Sequence, residues 1–241
     1  MHRYLETICK KGEKLPLVAD SFALLQALKN AGYLQTTRDP LWWPYSGTQK
    51  MVIGALLTQQ TKWERVEESL VLLEAESICS LEALADADIE QIKACIKPSG
   101  FYNTKAQRLK LLALNILQTY GDFAFFQQET DRAWLLAQKG IGMESADAIL
   151  CYACYRPVMV VDSYTNRLLT ALGYTFEDYM SIQSWMHEGI EARLNDCYNL
   201  YGYEIPLSTL YARFHGKIVE FAKTYIAGKK VDISVLMREN R

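Results

Sequence analysis

No stretch of this chain is apolar for long enough to cross a bilayer, so a helical membrane protein is excluded. The N-terminal residues MHRYLETICKKGEKL lack a compact apolar segment followed by a small-residue cleavage site, so no export is expected. A cytoplasmic protein is predicted, nucleoid-associated if the source is a prokaryote, with no membrane partner. The six cysteines, Cys9, Cys79, Cys95, Cys151, Cys154 and Cys197, lack the dense regular spacing of a disulfide-stapled domain and read as reduced thiols. An excess of basic residues is missing too. Lys and Arg number 26 against 28 Asp and Glu, a net charge of -2, so composition gives no sign of a nucleic-acid partner. It does not exclude one, because only the surface facing the phosphates must be positive, and helix N-termini supply part of that field through backbone amides. Strict apolar-polar alternation, internal repeats and low-complexity runs are all but absent.

What is present is apolar residues at helical spacing in nearly every segment. Half of the 241 residues are hydrophobic, enough for one large core or two smaller ones sharing a cleft. An all-α fold follows. The spacing predicts helices over 21–31, 48–58, 62–75, 88–96, 105–120, 131–138, 145–155, 163–172, 182–194 and 207–225. The first is capped by Asp20 or Ser21, and the fifth follows the turn Pro98-Ser99-Gly100. Loops are expected over 36–46, 156–162 and 198–206.

The most informative stretch is Lys139-Gly140-Ile141-Gly142-Met143-Glu144-Ser145-Ala146. One helix ends, a tight turn carries two glycines, and a second helix starts. Glycine permits positive φ and a close approach to another molecule, while the free amides of a new helix point toward an anion. A G-x-G turn alone is also an ordinary helix-helix connection. Next comes the apolar run Val158-Met159-Val160-Val161, which delivers Asp162 to the start of a helix. Asp before Ser-Tyr-Thr is a common N-cap, and a carboxylate held there stays ionised at neutral pH, so cap and catalyst are compatible.

Taken in order, these segments resemble the helix-hairpin-helix, endonuclease III-like DNA glycosylases. Their hairpin reads P-G-V-G-x-K-T-A and is followed by V-D-T-H. The segments Ala55-Leu56-Leu57-Thr58-Gln59-Gln60-Thr61 and Gly100-Phe101-Tyr102-Asn103-Thr104-Lys105-Ala106 are similar to two further elements of that superfamily. Within it the chain most resembles the type III 3-methyladenine DNA glycosylases through Trp42-Trp43-Pro44, Thr61-Lys62-Trp63, the hairpin, Val160-Val161-Asp162 and the C-terminal run Tyr211 to Phe221. The likeness covers nearly the whole chain after a leader of about twenty residues, whose role the sequence leaves open.

The resemblance implies two helical domains flanking a cleft. A six-helix barrel over 47–155 would end in the hairpin, the segments 1–46 and 156–241 would form the second domain, and Asp162 would lie where they meet. It also implies base flipping from double-stranded DNA, because a base inside a duplex is out of reach. Asp162 would stabilise an oxocarbenium-like transition state, Gln59 would fill the gap in the stack, and Trp42, Trp43, Pro44, Trp63, Lys217 and Lys223 would line the base pocket. Lys139, Gly140, Gly142 and Ser145 would meet the phosphates. The carbonyls of Leu136, Gln138 and Ile141 would hold a monovalent cation. Each residue has a plainer reading: tryptophans complete cores, Gln59 ends a helix, His215 is a satisfied polar residue and Lys223 a solvated cation.

Two departures bear on the reaction. Strand-cleaving relatives carry a lysine nucleophile two residues after the second hairpin glycine, where this chain has Glu144. A water nucleophile without lyase chemistry is therefore expected. After Asp162 only Cys197 remains, so no iron-sulfur cluster is expected. Cys151 and Cys154 form a C-x-x-C on an apolar helix and read as buried thiols. Lys217 in an apolar pocket is a candidate for carbamylation by carbon dioxide. The predicted function is a monomeric, monofunctional glycosylase for alkylated purines, chiefly 3-methyladenine. The alternatives are a glycosylase for an adenine mispair or deaminated base, and a non-catalytic DNA-binding module.

Overall fold

The computed structural model describes residues 18–33, 41–227 and 230–236. The leader up to residue 17, Cys9 and residues 36–40 of the expected loop lie outside them. Thirteen α-helices run through the described residues, with one two-residue antiparallel ribbon, β1 (Ile226–Ala227) and β2 (Lys230–Val231). The chain divides into two compact units, one Trp43–Val158 and the other Met1–Trp42 with Met159–Arg241.

The discontinuous unit contains α1 (Ser21–Asn30), and the remaining helices of the chain's C-terminal part belong to it as well. Its long helix (Leu207–Tyr225) buries Leu210, Phe214, Ile218 and Phe221, spaced by four, four and three residues so that they form one stripe. They pack with Phe22, Leu24, Leu25 and Leu28 of α1 and with Leu168, Leu169, Met186 and Ile190. Each such side chain contributes roughly 1.5–3 kcal/mol by leaving water.

The continuous unit holds α2 (Gln49–Leu57), α3 (Trp63–Ala75), α4 (Leu81–Asp86), α5 (Ile89–Ile96), α6 (Tyr102–Tyr120), α7 (Phe123–Glu129), α8 (Arg132–Ala137) and α9 (Met143–Ala148). A 3-10 turn, Lys97–Ser99, stands where the Pro98-Ser99-Gly100 turn is expected, and α9 runs into a π-helical turn, Ile149–Ala153. The sequence reading gives one helix over 145–155. Widening of the last turn displaces Tyr152 in register, and its carbonyl accepts the Gly47 amide at 2.8 Å. The remaining helices of the chain are α10 (Ser163–Ala171), α11 (Tyr179–Glu191), α12 (Leu194–Tyr201) and α13 (Leu207–Tyr225).

Side-chain caps decide where many helices begin. Asp20, Ser80, Asp88, Asp122, Asp131, Asp162 and Asp178 each accept an amide of the first turn, worth about 1 kcal/mol apiece. The cap at Asp178 starts α11 three residues before the expected 182. The segment 198–206 is not a loop throughout, because α12 occupies its first four residues until Gly202 ends it at φ +80. Helices α4 and α7, of six and seven residues and so under two turns each, stand in stretches for which the spacing predicts no helix.

Candidate active site and nucleic-acid interface

The approach to Asp162 is built from a segment without sheet partners. Met159, Val160 and Val161 are buried, so their backbone groups need partners other than water. Helix α11 supplies them from side chains. The Met159 amide donates to His187 Nε2 at 3.0 Å, the Met159 carbonyl accepts from Gln183 Nε2 at 2.7 Å, and the Val161 amide donates to the Tyr179 hydroxyl at 3.3 Å. His187 itself stacks on Tyr211, with ring centroids 4.8 Å apart. The apolar run is thus a rigid lead into α10.

Asp162 caps α10. Its Oδ1 accepts from the Thr165 amide at 2.8 Å and the Thr165 hydroxyl at 2.9 Å, and its Oδ2 faces His215 Nε2 at 3.6 Å. The side chain keeps 12% exposure. Burial raises the carboxyl's pKa, but His215 and the two Thr165 donors outweigh it and hold the group below the ordinary aspartate range. The carboxylate is ionised at neutral pH.

His215 leads to a chain of contacts on α13. Its ring meets the Trp42 indole edge to face, centroids 5.4 Å apart at 90°. Trp42 Nε1 donates to Glu220 Oε1 at 3.0 Å, and Glu220 Oε2 lies 3.9 Å from Lys217 Nζ. Gly216 makes room for the indole, since a Cβ there would sit 2.3 Å from Trp42 Cγ. Trp42, at φ +80, is held by this packing in a conformation that L-residues rarely adopt. Lys217 is 1% exposed, and its Nζ has no hydrogen-bond partner among the described residues. Burial lowers its pKa, Glu220 pulls the other way and Arg213 adds to the lowering.

Asp162, Trp42 and Lys217 therefore belong to one group. Lys223 does not join it, and stands exposed in the last turn of α13. Trp42 is buried against its neighbours, so within this unit its ring acts as packing for His215 and Gly216. From the sequence His215 reads only as a satisfied polar residue. His215 is 53 residues from Asp162 along the chain, and the fold brings them together. Only the family-like run Tyr211 to Phe221 offered a signal for it.

The continuous unit carries the other candidates. Trp43 packs between Trp63, at 6.1 Å and 89°, and Tyr152, at 5.2 Å and 56°. Trp63 lies over Gly54 of α2, where an added Cβ would be 3.4 Å from the indole rim. Trp43, Pro44 and Trp63 all stay partly exposed. Tyr152 joins this aromatic group through the π-helical turn, which helical periodicity could not reveal.

In the hairpin, Gly140 takes φ +87, as expected of its turn. Gly142 does not: it is the N-cap of α9 with φ -96 and ψ -179, a backbone any residue adopts. An added Cβ there meets nothing within 4 Å, so the reason for glycine at 142 is not the turn. Lys139 and Gly142 are exposed and Ser145 partly so. Gln59 reaches the hairpin, Nε2 donating to the Gly140 carbonyl at 2.9 Å and to Ser145 Oγ at 3.0 Å. Arg108 of α6 lies against Gly140, with its Cδ 2.4 Å and its Cζ 2.8 Å from an added Cβ, placing a guanidinium on the hairpin that no motif flagged. The Gln138 carbonyl accepts the Ile141 amide at 3.1 Å, while Leu136 lies in the last turn of α8, where carbonyls lack intrahelical donors. A set of main-chain carbonyls suits a hard cation by its chemistry.

Two loops near Gln59 are cross-tied. Lys105 Nζ donates to the carbonyls of Leu57 and Ser99 and to Thr61 Oγ1 at 2.7–2.8 Å, and Thr61 Oγ1 donates to the Ser99 carbonyl at 2.6 Å. On these loops Gln60 and Phe101 both have positive φ, at 54° and 46°, and Phe101 is 66% exposed. An exposed aromatic held in a strained turn is a mark of a contact residue. The C-x-x-C, by contrast, is buried, with the Cys154 thiol pushed up to about 12. Both cysteines are buried free thiols.

Comparison with known proteins shows the family. Residues 53–190 match the HhH-GPD superfamily base excision DNA repair protein family. The Methanocaldococcus jannaschii protein MJ1434 is 34% identical over 194 residues, covering 78% of this chain and 82% of that one. The Helicobacter pylori 3-methyladenine DNA glycosylase MagIII, solved with 1,N6-ethenoadenine, shares 46% identity at a TM-score of 0.83, over 87% of this chain and all of that one. A non-covalent endonuclease III-DNA complex, 15% identical with a TM-score of 0.64 over 90% and 92% of the two chains, shares the fold. The chain belongs to the HhH-GPD superfamily of base excision DNA repair glycosylases.

Proposed function

We propose that this glycosylase is monofunctional and releases alkylated purines, chiefly 3-methyladenine, from duplex DNA by hydrolysis. The observation that carries the reading is an ionised, nearly buried Asp162 in a chain with Glu144 where an amine nucleophile would stand. The 46% identity to a 3-methyladenine glycosylase over that protein's full length supports the substrate class.

In this reading Asp162 stabilises the positive charge that develops at C1' as the bond to the base lengthens, and it orients the attacking water. A 3-methylated adenine nucleotide is already cationic, so its base leaves without a strong acid. Stacking on electron-rich rings contributes about 1–3 kcal/mol per good face to recognition of such a base. The rings we assign are Trp43 and Trp63, with Pro44 beside them. Gln59 would leave its hydrogen bonds at Gly140 and Ser145 to fill the emptied stack, and Phe101 is the exposed aromatic on the loop tied to the Gln59 loop through Thr61 and Ser99. Lys139, Gly140, Gly142, Ser145 and Arg108 would meet the backbone. The carbonyls of Leu136, Gln138 and Ile141 would hold a monovalent cation that adds positive charge toward a phosphate.

Lys217 is assigned a carbamate. Its neutral amine adds to carbon dioxide, an N–C bond forms and one N–H proton passes to solvent, leaving an anion in place of an ammonium. Its buried Nζ without a hydrogen bond is the support for this.

Purified protein incubated with methylated duplex should release free 3-methyladenine and leave uncut abasic sites, whereas Asp162→Asn should release none. Strand cleavage at the lesion would refute the monofunctional reading. Release of deaminated or mispaired bases in preference would refute the substrate class.

A further inference from the structure

Asp162 uses its two oxygens differently. Oδ1 is taken up by the two Thr165 donors, and Oδ2 has left to it the His215 imidazole, 2% exposed and 3.6 Å away. A carboxylate oxygen has two lone pairs, so Oδ2 can accept one hydrogen bond and still face a reacting sugar or water. What fixes its direction is then whatever sits on the first lone pair.

The surroundings make His215 suited to that. Its ring cannot swing freely, because the Trp42 indole closes on it edge to face. The indole is held in turn by Glu220 through Nε1 and seated on Gly216, where no side chain could fit. Trp42, Glu220 and Gly216 thus hold in place the ring that faces the second oxygen of Asp162. From these contacts we propose that His215 is a positioning residue of the glycosylase reaction, donating from Nε2 to Asp162 Oδ2 and aiming the remaining lone pair at the reaction centre. This rests on the glycosylase reading given above.

Among the described residues, the titratable group that acts on Asp162 from another element is His215. Thr165 lies on the carboxylate's own helix, and Arg213, Lys217 and Glu220 lie on the helix of His215. Since His215 helps hold Asp162 below the ordinary aspartate range, its removal raises the pH at which the carboxylate is lost.

The test is the single-turnover rate of base release from methylated duplex against pH, for wild type, His215→Phe and His215→Gln. Phenylalanine keeps a ring against Trp42 without the donor, and glutamine carries an amide nitrogen toward the place of Nε2. His215→Phe should lose roughly 10- to 100-fold in rate, the scale of a misplaced catalytic group. Its acid limb should move to higher pH with duplex affinity unchanged, and His215→Gln should recover most of the rate. A His215→Phe rate within twofold of wild type, an unmoved acid limb, or glutamine no better than phenylalanine would overturn the proposal. If wild type releases no base, the glycosylase reading fails by itself. The Asp162–His215 pair is then judged by carbon NMR titration of the Asp162 carboxyl in the wild-type protein. Titration below the ordinary aspartate range supports the pair, and titration at or above that range overturns it, also where His215→Phe does not fold.

Discussion

Replacing Asp147 by asparagine should weaken the tie between the two helices of the hairpin, and the size of the effect can be worked from the contacts. Asp147, on α9, is wholly buried. Its Oδ1 lies 2.7 Å from Nε and its Oδ2 3.2 Å from Nη2 of Arg132, the first residue of α8. Breaking a buried ion pair from one side costs about 3–5 kcal/mol. The Arg132 side chain keeps 29% exposure, so water recovers part of its solvation and the cost falls toward the lower end. Asparagine retains one oxygen for Nε but turns an NH2 toward Nη2, giving up one charge-assisted bond of roughly 1.5–3 kcal/mol. The expected loss is about 2–3 kcal/mol, or roughly 4–12 °C in Tm for a chain of this length. Urea denaturation of Asp147→Asn, Arg132→Met and the double variant closes a cycle whose coupling should exceed about 1 kcal/mol. A coupling under about 0.5 kcal/mol, the scatter of independent sites, would refute the assignment.

Asp162→Asn should abolish base release by several orders of magnitude while leaving Tm within a degree or two at neutral pH, since asparagine caps a helix as well as aspartate. Asp162's folded pKa is depressed, so its contribution is complete above the unfolded value near 3.9 and lost as pH falls through the lower folded value. Acid denaturation of wild type and Asp162→Asn should accordingly diverge only below about pH 4. Gly216→Ala should lower Tm although alanine gains about 1 kcal/mol of helix propensity, because displacing Trp42 from a 2.3 Å clash costs roughly 1–3 kcal/mol; a rise in Tm would contradict the packing. Gln183→Leu leaves the buried Met159 carbonyl without its amide donor and should cost about 1–3 kcal/mol, read by urea denaturation, with reduced base release as Asp162's lead-in loosens.

Much of the fold was legible because it is written locally. Long amphipathic helices such as α3, α6 and α13 announce themselves by a period that survives many turns. The hairpin glycine at 140 and the cap at Asp162 follow from backbone chemistry available to any reader of the chain. The superfamily, too, lay in four short motifs in a fixed order. The short helices α4 and α7 and the π-helical turn escaped, although the equally short α8 lay within the expected 131–138; a single widened turn leaves no trace in composition.

The neighbours of those motifs were decided only in three dimensions. His215 reaches Asp162 across 53 residues, and α11 satisfies the backbone of the lead-in from side chains that no spacing rule connects to it. Gly142 and Lys223 show the converse: the one adopts an extended backbone, the other stands in solvent, and for Lys223 the structure chooses the plainer of the two readings that the sequence left open. The physical reason is range. Propensity, capping and turn geometry act within a few residues and are encoded there, whereas the burial, orientation and protonation of a side chain depend on which distant groups packing brings against it.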